Sequence, residues 1–291
     1  MKLVPLASDS MGARSMAFLV ETRDCRILID PGVSLGPLRY GLPPHEIEVE
    51  RATELWDAVT KAAKMADVAI ISHYHYDHHE PEEPYLLRGK RLFIKDPKSK
   101  INASQRGRAA EFLGLIKGVP TGVEIADGAT VEIGSTTITF SGAVPHGTNP
   151  RLGYVIETAV CEGSEAFVHT SDVEGPSLDE QVEFIIAQQP STVACDGPMT
   201  YMMHRYGRKA LERSIANLTL AIERTGMKVL ILDHHLLRDL RWAEKVAEVI
   251  KAGEAHGCSV QTFAEFAGME NELLEARRKE LYEMHPMGVR K

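Results

Sequence analysis

The sequence is poor in cysteine. Only four of its 291 residues are cysteines, and no two of them form a Cys-x-x-Cys pair. This scarcity excludes a disulfide framework and a cysteine zinc site of the usual spacing. We therefore expect the four residues to be small apolar side chains at strand ends, as free cysteine usually is. They are Cys25, Cys161, Cys195 and Cys258.

The chain also lacks an excess of basic residues. Its 33 lysines and arginines stand against 41 aspartates and glutamates, for a formal net charge of -8. Proteins that bind a phosphate backbone usually carry the opposite balance. We therefore expect a small-molecule substrate and rank nucleic acid second as a partner.

Long apolar runs are missing as well. No run approaches the roughly 20 residues that a membrane helix needs, and the first residues lack the apolar core of a signal peptide. We therefore expect no membrane partner and a cytoplasmic location. Hydrophobic residues make up 44% and charged residues 25% of the chain, which is ordinary for a globular protein and excludes a disordered one.

The first part of the chain is rich in short β-like runs. Strands are predicted at 16–22, 25–30, 67–72 and 92–95, and helices at 46–65 and 102–116. A cluster of strands punctuated by glycine then predicts an antiparallel meander. Its members are 123–126, 131–133, 136–141, 153–158 and 166–170.

After Asp172 helices and strands alternate. A capping box of Ser177 and Glu180 predicts a helix start, and Pro190 ends that helix. The later elements are a strand at 192–196, a helix at 208–225, a strand at 228–233, a helix at 240–256, a strand at 259–263 and a charged helical tail at about 265–291. Without a Pro/Gly/Ser linker, we expect one domain over 1–291, with helices outside and two sheets inside.

The stretch 72–79, Ser-His-Tyr-His-Tyr-Asp-His-His, carries the strongest chemical signal. His73 and His75, two residues apart in an extended segment, point to the same side, so both imidazoles can meet one metal ion. Asp77 and His78 can serve a second ion roughly 3.5 to 4 Å away. The His-x-His-x-Asp-His pattern arises by chance on the order of once in a thousand such chains. The spacing therefore predicts a two-metal site.

Other side chains of the metal-ligand type stand just past the ends of apolar strands. His146 follows the strand at 136–141, and Asp172 follows the strand at 166–170. His234 and His235 follow the strand at 228–233. Loops at the edges of a layered fold gather functional groups, so we expect these residues to complete the site.

In this order the residues make the chain resemble the metallo-β-lactamase fold superfamily. The matching motifs are Asp30 in Leu-Ile-Asp-Pro-Gly, the motif at 73–78, His146, Asp172 and the later histidine pair. The opening of the chain and its segment 232–239 are further similar to an uncharacterised group of predicted archaeal and bacterial metallo-hydrolases. The resemblance implies an α/β fold, a four-layer αββα sandwich, and names no substrate.

The resemblance also implies a role for each residue. The first metal would be held by His73, His75 and His146, and the second by Asp77, His78 and the last histidine. Asp172 would bridge the two metals, and Asp30 would orient the motif from behind.

The last ligand and two supporting residues stay open. We prefer His234 to His235 because it comes first after the strand-end Asp233, and adjacent residues of an extended segment face opposite ways. His79 is expected to support the ligands rather than bind metal. Asp196 precedes a Gly-Pro turn and is either a turn cap or a supporting group.

Several polar residues are expected to lie at the surface. A solvated loop is the preferred interpretation of 204–206, although Arg205 is the residue type that pairs with a substrate carboxylate or phosphate. His45, His256 and His285 are predicted to be surface histidines. The alternating charges of 270–283 predict a solvated helix face or a contact between subunits of a homo-oligomer.

The functional prediction is a binuclear zinc hydrolase that uses a metal-bridging hydroxide. Two Zn²⁺ ions lower the pKa of a bridging water towards about 7 and stabilise the developing negative charge. Asp172 would fix the metal separation and Asp77 would help to orient the hydroxide, which makes these two the catalytic carboxylates. Two zinc ions per chain are expected, with iron or manganese as alternatives. A small ester, lactone or phosphodiester fits this chemistry.

Three other functions remain open. A metal-dependent ribonuclease or nuclease of the transfer-RNA processing type is the first, but the stretch between Asp172 and His234 is too short for a β-CASP insert and no Gly/Pro-rich arm is present. A mononuclear iron oxygenase can use the same fold and histidine-rich set. A binding module without activity is disfavoured by the intact ligand set.

Overall fold

The computed structural model describes residues 1–286. Within this range the strands are β1 (Lys2–Ser8), β2 (Met16–Glu21), β3 (Arg26–Ile29), β4 (Val68–Ile71), β5 (Arg91–Ile94), β6 (Gly122–Ile125), β7 (Thr130–Ile133), β8 (Thr136–Phe140), β9 (Val144–Pro145), β10 (Tyr154–Val155), β11 (Thr158–Glu162), β12 (Glu165–His169), β13 (Thr192–Asp196), β14 (Val229–Asp233) and β15 (Ser259–Gln261). The α-helices are α1 (Glu46–Met65), α2 (Ala103–Leu115), α3 (Asp179–Gln188), α4 (Met203–Tyr206), α5 (Arg208–Thr225), α6 (Trp242–Lys245), α7 (Ala247–His256), α8 (Phe263–Phe266) and α9 (Arg278–Met284).

Two sheets form the centre of the fold. The first has the strand order β1-β2-β3-β4-β5-β6, and the second has the order β15-β14-β13-β12-β11-β8-β7. Strands β3 to β6 run parallel to one another, and so do β12 to β15. Strands β9 and β10 form a separate antiparallel pair. Most of the parallel strands are connected by α-helices, as crossover connections usually are, whereas β4 and β5 are connected by a loop with the 3-10 turn Pro84–Leu87.

The sheets face each other across an apolar core. The ring of Phe18 on β2 stacks on Phe167 of β12 with a centroid separation of 4.8 Å and meets Phe263 edge-on at 5.5 Å. On the outer faces, Phe112 of α2 packs against the first sheet, and Leu218 of α5 packs against the second. The result is the predicted four-layer αββα sandwich. No described helix combines the length and apolar character needed to cross a bilayer.

Strand polarity determines where functional groups gather. Because β3, β4 and β5 are parallel, their carboxyl ends lie at one edge of the first sheet, and β12, β13 and β14 do the same in the second. Loops at the carboxyl ends of parallel strands are the usual place for binding sites in α/β folds. The loops that carry the predicted ligands start at these ends, except the loop of His146, which follows the antiparallel strands β8 and β9.

Most predicted elements are present, but the meander is only partly right. Strands β7, β8, β11 and β12 are antiparallel neighbours, whereas β6 pairs in parallel with β5 in the first sheet because α2 returns the chain there. The strand predicted at 153–158 is divided between β10 and β11. The helix predicted at 240–256 is interrupted at Val246, whose φ of -114° leaves the helical region.

The predicted capping box at Ser177 and Glu180 is wrong. Helix α3 starts one residue later, and the Leu178 N–H donates to the side-chain oxygen of Gln181 at 2.9 Å. The same Gln181 side chain donates to the carbonyls of Pro145 and Gly147, both at 2.9 Å. The helix start is therefore set by a glutamine that anchors the loop containing His146.

The predicted helical tail at about 265–291 is wrong over much of its length. Within 265–286 only α8 and α9 are helical, because Gly268 with φ +73° follows α8 and the chain runs non-helically to Arg277. The segment is also not a solvated face. Arg278 is buried and pairs with the equally buried Glu48 of α1 at 2.7 Å. Residues 287–291 of the predicted tail lie outside the described residues.

The four cysteines and His45 lie wholly or partly in the interior. Cys25, Cys195 and Cys258 are buried, Cys161 is half-buried, and all four are free thiols. His45, predicted at the surface, is buried and caps α1 by accepting the Ile47 N–H at its Nδ1. An imidazole at a helix start satisfies one of the N–H groups that lack an intrahelical partner.

Candidate metal centre

The histidine motif is fixed at both ends by Asp30. This carboxylate follows β3 and accepts the Ser72 N–H at 2.8 Å and the Ser72 hydroxyl at 2.5 Å. Its Oδ2 also lies 2.9 Å from His78 Nδ1, which turns His78 Nε2 towards the interior of the site. Asp30 therefore lies behind the motif and contacts it at Ser72 and at His78.

Gly32 allows the Asp30 loop to approach the motif. A Cβ atom at this position would lie 2.4 Å from the backbone nitrogen of His79 and 2.5 Å from that of His78. Both neighbours are backbone atoms that cannot move aside. The Pro-Gly sequence after Asp30 is thus a packing requirement of the motif.

The carboxylate of Asp172 lies between two groups of histidines. Its Oδ2 is 3.5 Å from His73 Nε2 and 3.2 Å from His146 Nε2. Its Oδ1 is 2.9 Å from His78 Nε2 and 3.4 Å from His234 Nε2. One buried carboxylate is therefore shared by two clusters, one on each oxygen.

The clusters have the composition expected of two metal sites. In the first, ligand atoms of His73, His75, His146 and Asp172 all lie within 4.8 Å of one another. In the second, Asp77, His78 and His234 satisfy the same distance. His73 Nε2 and His75 Nδ1 are 3.0 Å apart, and His234 Nε2 is 3.6 Å from Asp77 Oδ2.

The residues fit divalent cations by a direct structural criterion. His78 Nε2 and Asp172 Oδ1 are buried and 2.9 Å apart, yet their orientation makes no hydrogen bond, and neither atom has another hydrogen-bond partner among the described residues. Both ring nitrogens of His146 are also buried without a hydrogen-bond partner among the described residues. Buried polar atoms without partners are costly. Imidazole nitrogens and carboxylate oxygens that converge in this way are the donors that zinc prefers.

The charge balance of the centre also calls for cations. Burial lowers the pKa of His78, but the Asp172 and Asp30 carboxylates outweigh it and raise that pKa to about 10. Burial is likewise outweighed at His146, where the neighbouring carboxylates of Asp172 and Glu174 raise the pKa to about 9. Protons on these rings balance the buried carboxylates, and a metal ion would have to displace them.

Most of the clustered histidines have a polar neighbour at the ring nitrogen that faces away from the cluster. His234 Nδ1 lies 2.8 Å from Asp9 Oδ2, and His146 Nδ1 lies 3.5 Å from Glu174 Oε1. His73 Nδ1 lies 3.2 Å from the Ser171 hydroxyl. Such partners fix the tautomer and the orientation of a ligand ring.

Sequence reasoning missed Asp9 and Glu174. Asp9 follows β1, for which the sequence gives little indication because Pro5 interrupts the apolar run. The strand accommodates Pro5 because it is at the sheet edge and its register shifts between Pro5 and Ala7. Glu174, two residues after Asp172, was the easier residue to find, since supporting carboxylates accompany ligands.

His234 and His235 are placed differently, although ligand atoms of both lie within 4.8 Å of Asp172. The segment is a 3-10 turn rather than extended, and His234 has φ +57°, which directs its ring into the second cluster. His235 Nδ1 instead lies 3.0 Å from Asp196 Oδ2. Asp196 also accepts the His235 and Glu174 backbone N–H groups, so it supports this loop. His79 is turned away from the two clusters of candidate ligands, with its Nδ1 2.9 Å from the His75 carbonyl.

Backbone strain is concentrated around the two clusters. Asp30, Ser171, Glu174 and His234 all have φ between +47° and +57°. Non-glycine residues adopt this left-handed region at a cost of roughly 1 kcal/mol or more each, and such residues tend to occur at functional sites. The fold therefore places these side chains at a cost in stability.

The clusters open into a cavity of about 560 Å³. Its wall includes His75, Asp77, His146, Asp172 and His235. Arg205, interpreted from the sequence as part of a solvated loop, is exposed but also lines this cavity. This size lies within the ordinary range for small-molecule sites.

A first prediction concerns Asp9. Asp9→Asn keeps the shape but removes the charge that orients His234, so we expect metal affinity to fall by roughly 10- to 100-fold. Competition with a chromogenic chelator measures that affinity. Asp239→Asn, at the end of the turn that carries His234 but outside the clusters, is the control and should match the unmodified protein. Equal affinities for the two variants would show that Asp9 does not support a ligand.

Curated relatives of the chain are similar over nearly its whole length. A UPF0282 protein of Korarchaeum cryptofilum is 52% identical over 289 residues, which cover 99% of this chain and 96% of that protein. A UPF0282 protein of Saccharolobus islandicus is 46% identical over 287 residues, covering 97% and 93%. No protein-family model matches the chain.

Solved structures show the same fold at low sequence identity. An isothiocyanate hydrolase from Delia radicum gut bacteria has a TM-score of 0.56 at 14% identity, covering 90% of this chain and 95% of that one. Yeast PDE1 has a TM-score of 0.52 at 12% identity, covering 89% and 96%. The metallo-beta-lactamase fold protein YhfI from Bacillus subtilis has a TM-score of 0.50 at 14% identity, covering 89% and 94%.

Proposed function

This chain belongs to the UPF0282 family and has the metallo-β-lactamase fold, and from that premise we propose that it is a binuclear metal-dependent hydrolase. The observation that supports the proposal best is the position of Asp172. Each of its carboxylate oxygens faces a separate cluster of buried ligand atoms. A structural carboxylate would need hydrogen-bond donors, whereas Asp172 Oδ1 has none among the described residues.

We propose His73, His75 and His146 as ligands of one ion, and Asp77, His78 and His234 as ligands of the other, with Asp172 shared. Zinc is the ion that this nitrogen and oxygen donor set suits best. Bound as a pair, such ions lower the pKa of a water and stabilise negative charge that develops on a substrate oxygen.

The protein's own residues perform the positioning. Asp30, Asp9 and Glu174 hold the ligand rings in place, which preserves the separation of the clusters without substrate. Asp77 is, like Asp172, a proposed ligand carboxylate that lines the cavity, so it is placed to orient a nucleophile. His235 directs Nδ1 to Asp196 and contributes to the cavity wall.

The proposed reaction is hydrolysis of a small ester, lactone or phosphodiester. The test is a panel of such compounds, with a thioester included, assayed on the purified protein before and after zinc loading. We expect hydrolysis that a chelator abolishes and that added zinc restores. A panel without turnover under zinc loading, or turnover that survives chelation, would contradict the proposal.

The two adjacent histidines should respond differently to replacement. His234→Ala removes a ligand of the second cluster, so we expect the bound metal to fall from about two ions to about one. His235→Ala leaves the ligand set intact and should keep the metal content. Elemental analysis of both variants gives the answer, and a larger metal loss in His235→Ala would reverse the assignment.

A further inference from the structure

Four arginines line the cavity in front of the metal clusters: Arg14, Arg108, Arg205 and Arg238. Two of them, Arg14 and Arg238, are neutralised within the protein. Arg14 pairs with Glu275 at 2.6 Å, and Arg238 pairs with Asp9 at 2.8 Å. Among residues 1–286, neither Arg108 nor Arg205 has a carboxylate within ion-pair distance. Arg14 and Arg238 are thus structural, whereas Arg108 and Arg205 are available to a ligand.

The guanidinium of Arg108 is held in position before any ligand arrives. Its Nη1 donates to the Tyr74 carbonyl at 3.0 Å, and its Nη2 donates to the Ser104 hydroxyl at 2.9 Å. It also lies over the ring of Tyr76, 5.2 Å from the centroid. Of the five N–H donors of an arginine, three remain. A fixed donor group loses little conformational entropy when it binds.

Arg205 approaches the cavity from the other half of the fold. It is on α4, between β13 and β14 of the second sheet, whereas Arg108 is on α2, between β5 and β6 of the first. Arg205 is exposed and has no hydrogen-bond partner among the described side chains. The chain has a net charge of -8, yet this cavity holds two arginines without an ion-pair partner among residues 1–286. A concave wall concentrates their field on whatever enters.

We propose that Arg108 and Arg205 bind an anionic oxygen group, a carboxylate or a phosphate, on a small substrate whose scissile bond lies at the metal clusters. This inference rests on the proposed function and extends it to a substrate class. Arginine donates two parallel N–H groups to such an anion. The cavity of about 560 Å³ matches a small molecule rather than a polymer.

The first test measures binding without catalysis. Inorganic phosphate is titrated calorimetrically into the zinc-loaded protein and into an Arg108→Ala/Arg205→Ala variant. We expect the affinity for phosphate to fall about tenfold or more in the variant, since two charge-assisted contacts are lost. The matched control is Arg106→Ala/Arg208→Ala, which removes two exposed arginines of α2 and α5 and should bind phosphate as the unmodified protein does.

The second test uses two esters with the same leaving group, 4-nitrophenyl butyrate and mono-4-nitrophenyl succinate. We expect the Arg108→Ala/Arg205→Ala variant to raise KM for the anionic succinate ester about tenfold and to leave the neutral ester unchanged. Phosphate binding that depends on the two arginines, without turnover of any ester, would contradict the proposed function but retain the anion site.

Three results would overturn the anion site. Unchanged phosphate affinity in the Arg108→Ala/Arg205→Ala variant is the first, and an equal loss in the control variant is the second. The third is a single-stranded RNA oligonucleotide that binds at least tenfold more tightly than phosphate through the same two arginines. That outcome would show that Arg108 and Arg205 bind a polymer rather than a small anion.

Discussion

Asp172→Ala should abolish hydrolysis while the fold persists. The variant removes the one carboxylate that faces both clusters, so each loses an oxygen ligand and two sets of histidines face each other without a counter-charge. We expect turnover to fall at least about a hundredfold, as when a group that stabilises transition-state charge is removed. Activity and bound metal are measured together, because loss of the shared carboxylate should lower both.

The control for this variant is Asp179→Ala. Asp179 is an exposed carboxylate at the start of α3 that pairs with Arg213, away from the metal clusters. Its replacement should leave metal content and turnover unchanged. Circular dichroism should show native secondary structure for both variants, since Asp172 lies in a loop after β12. Wild-type turnover in Asp172→Ala would remove the bridging assignment.

Arg278→Ala should cause the largest loss of stability. The Arg278 guanidinium donates to both carboxylate oxygens of Glu48, at 2.7 and 2.8 Å, and both side chains are fully buried. Removing one partner leaves the other charge buried and unpaired, which costs about 3–5 kcal/mol. Urea unfolding measures the change in free energy of unfolding.

Arg277→Ala is the matched control for Arg278. Arg277 precedes it in the chain and pairs with Glu280 on the surface, where both side chains are 46% exposed. Solvent-exposed pairs contribute only about 0–1 kcal/mol, so this variant should unfold near the wild-type urea concentration. If the two variants unfold at similar urea concentrations, the Arg278–Glu48 pair does not secure the C-terminal segment.

The ligand motif was predictable because its signal is local. His73, His75, Asp77 and His78 lie within one strand-end turn, so their spacing alone constrains which way they face. Apolar runs such as β4 and β14 were equally clear, since strands that are buried on both faces have near-continuous hydrophobic sequences. The fold class followed from these strands together with the superfamily resemblance.

The supporting residues were not predictable because tertiary contacts create their roles. Asp9 meets His234 across 225 positions of sequence, the difference between their residue numbers, through the packing of the 3-10 turn after β1 against the turn after β14. His45 and Arg278 were expected to be solvated, and both are buried where the C-terminal segment packs against the start of α1. Composition and periodicity do not contain such long-range pairings.

The binuclear centre is tested most directly by counting metal ions in the purified protein. Elemental analysis after zinc loading and removal of free metal gives the number of ions per chain. The two ligand clusters that share Asp172 predict about two divalent ions. A value of about one ion, unchanged on titration with further zinc, would contradict the account.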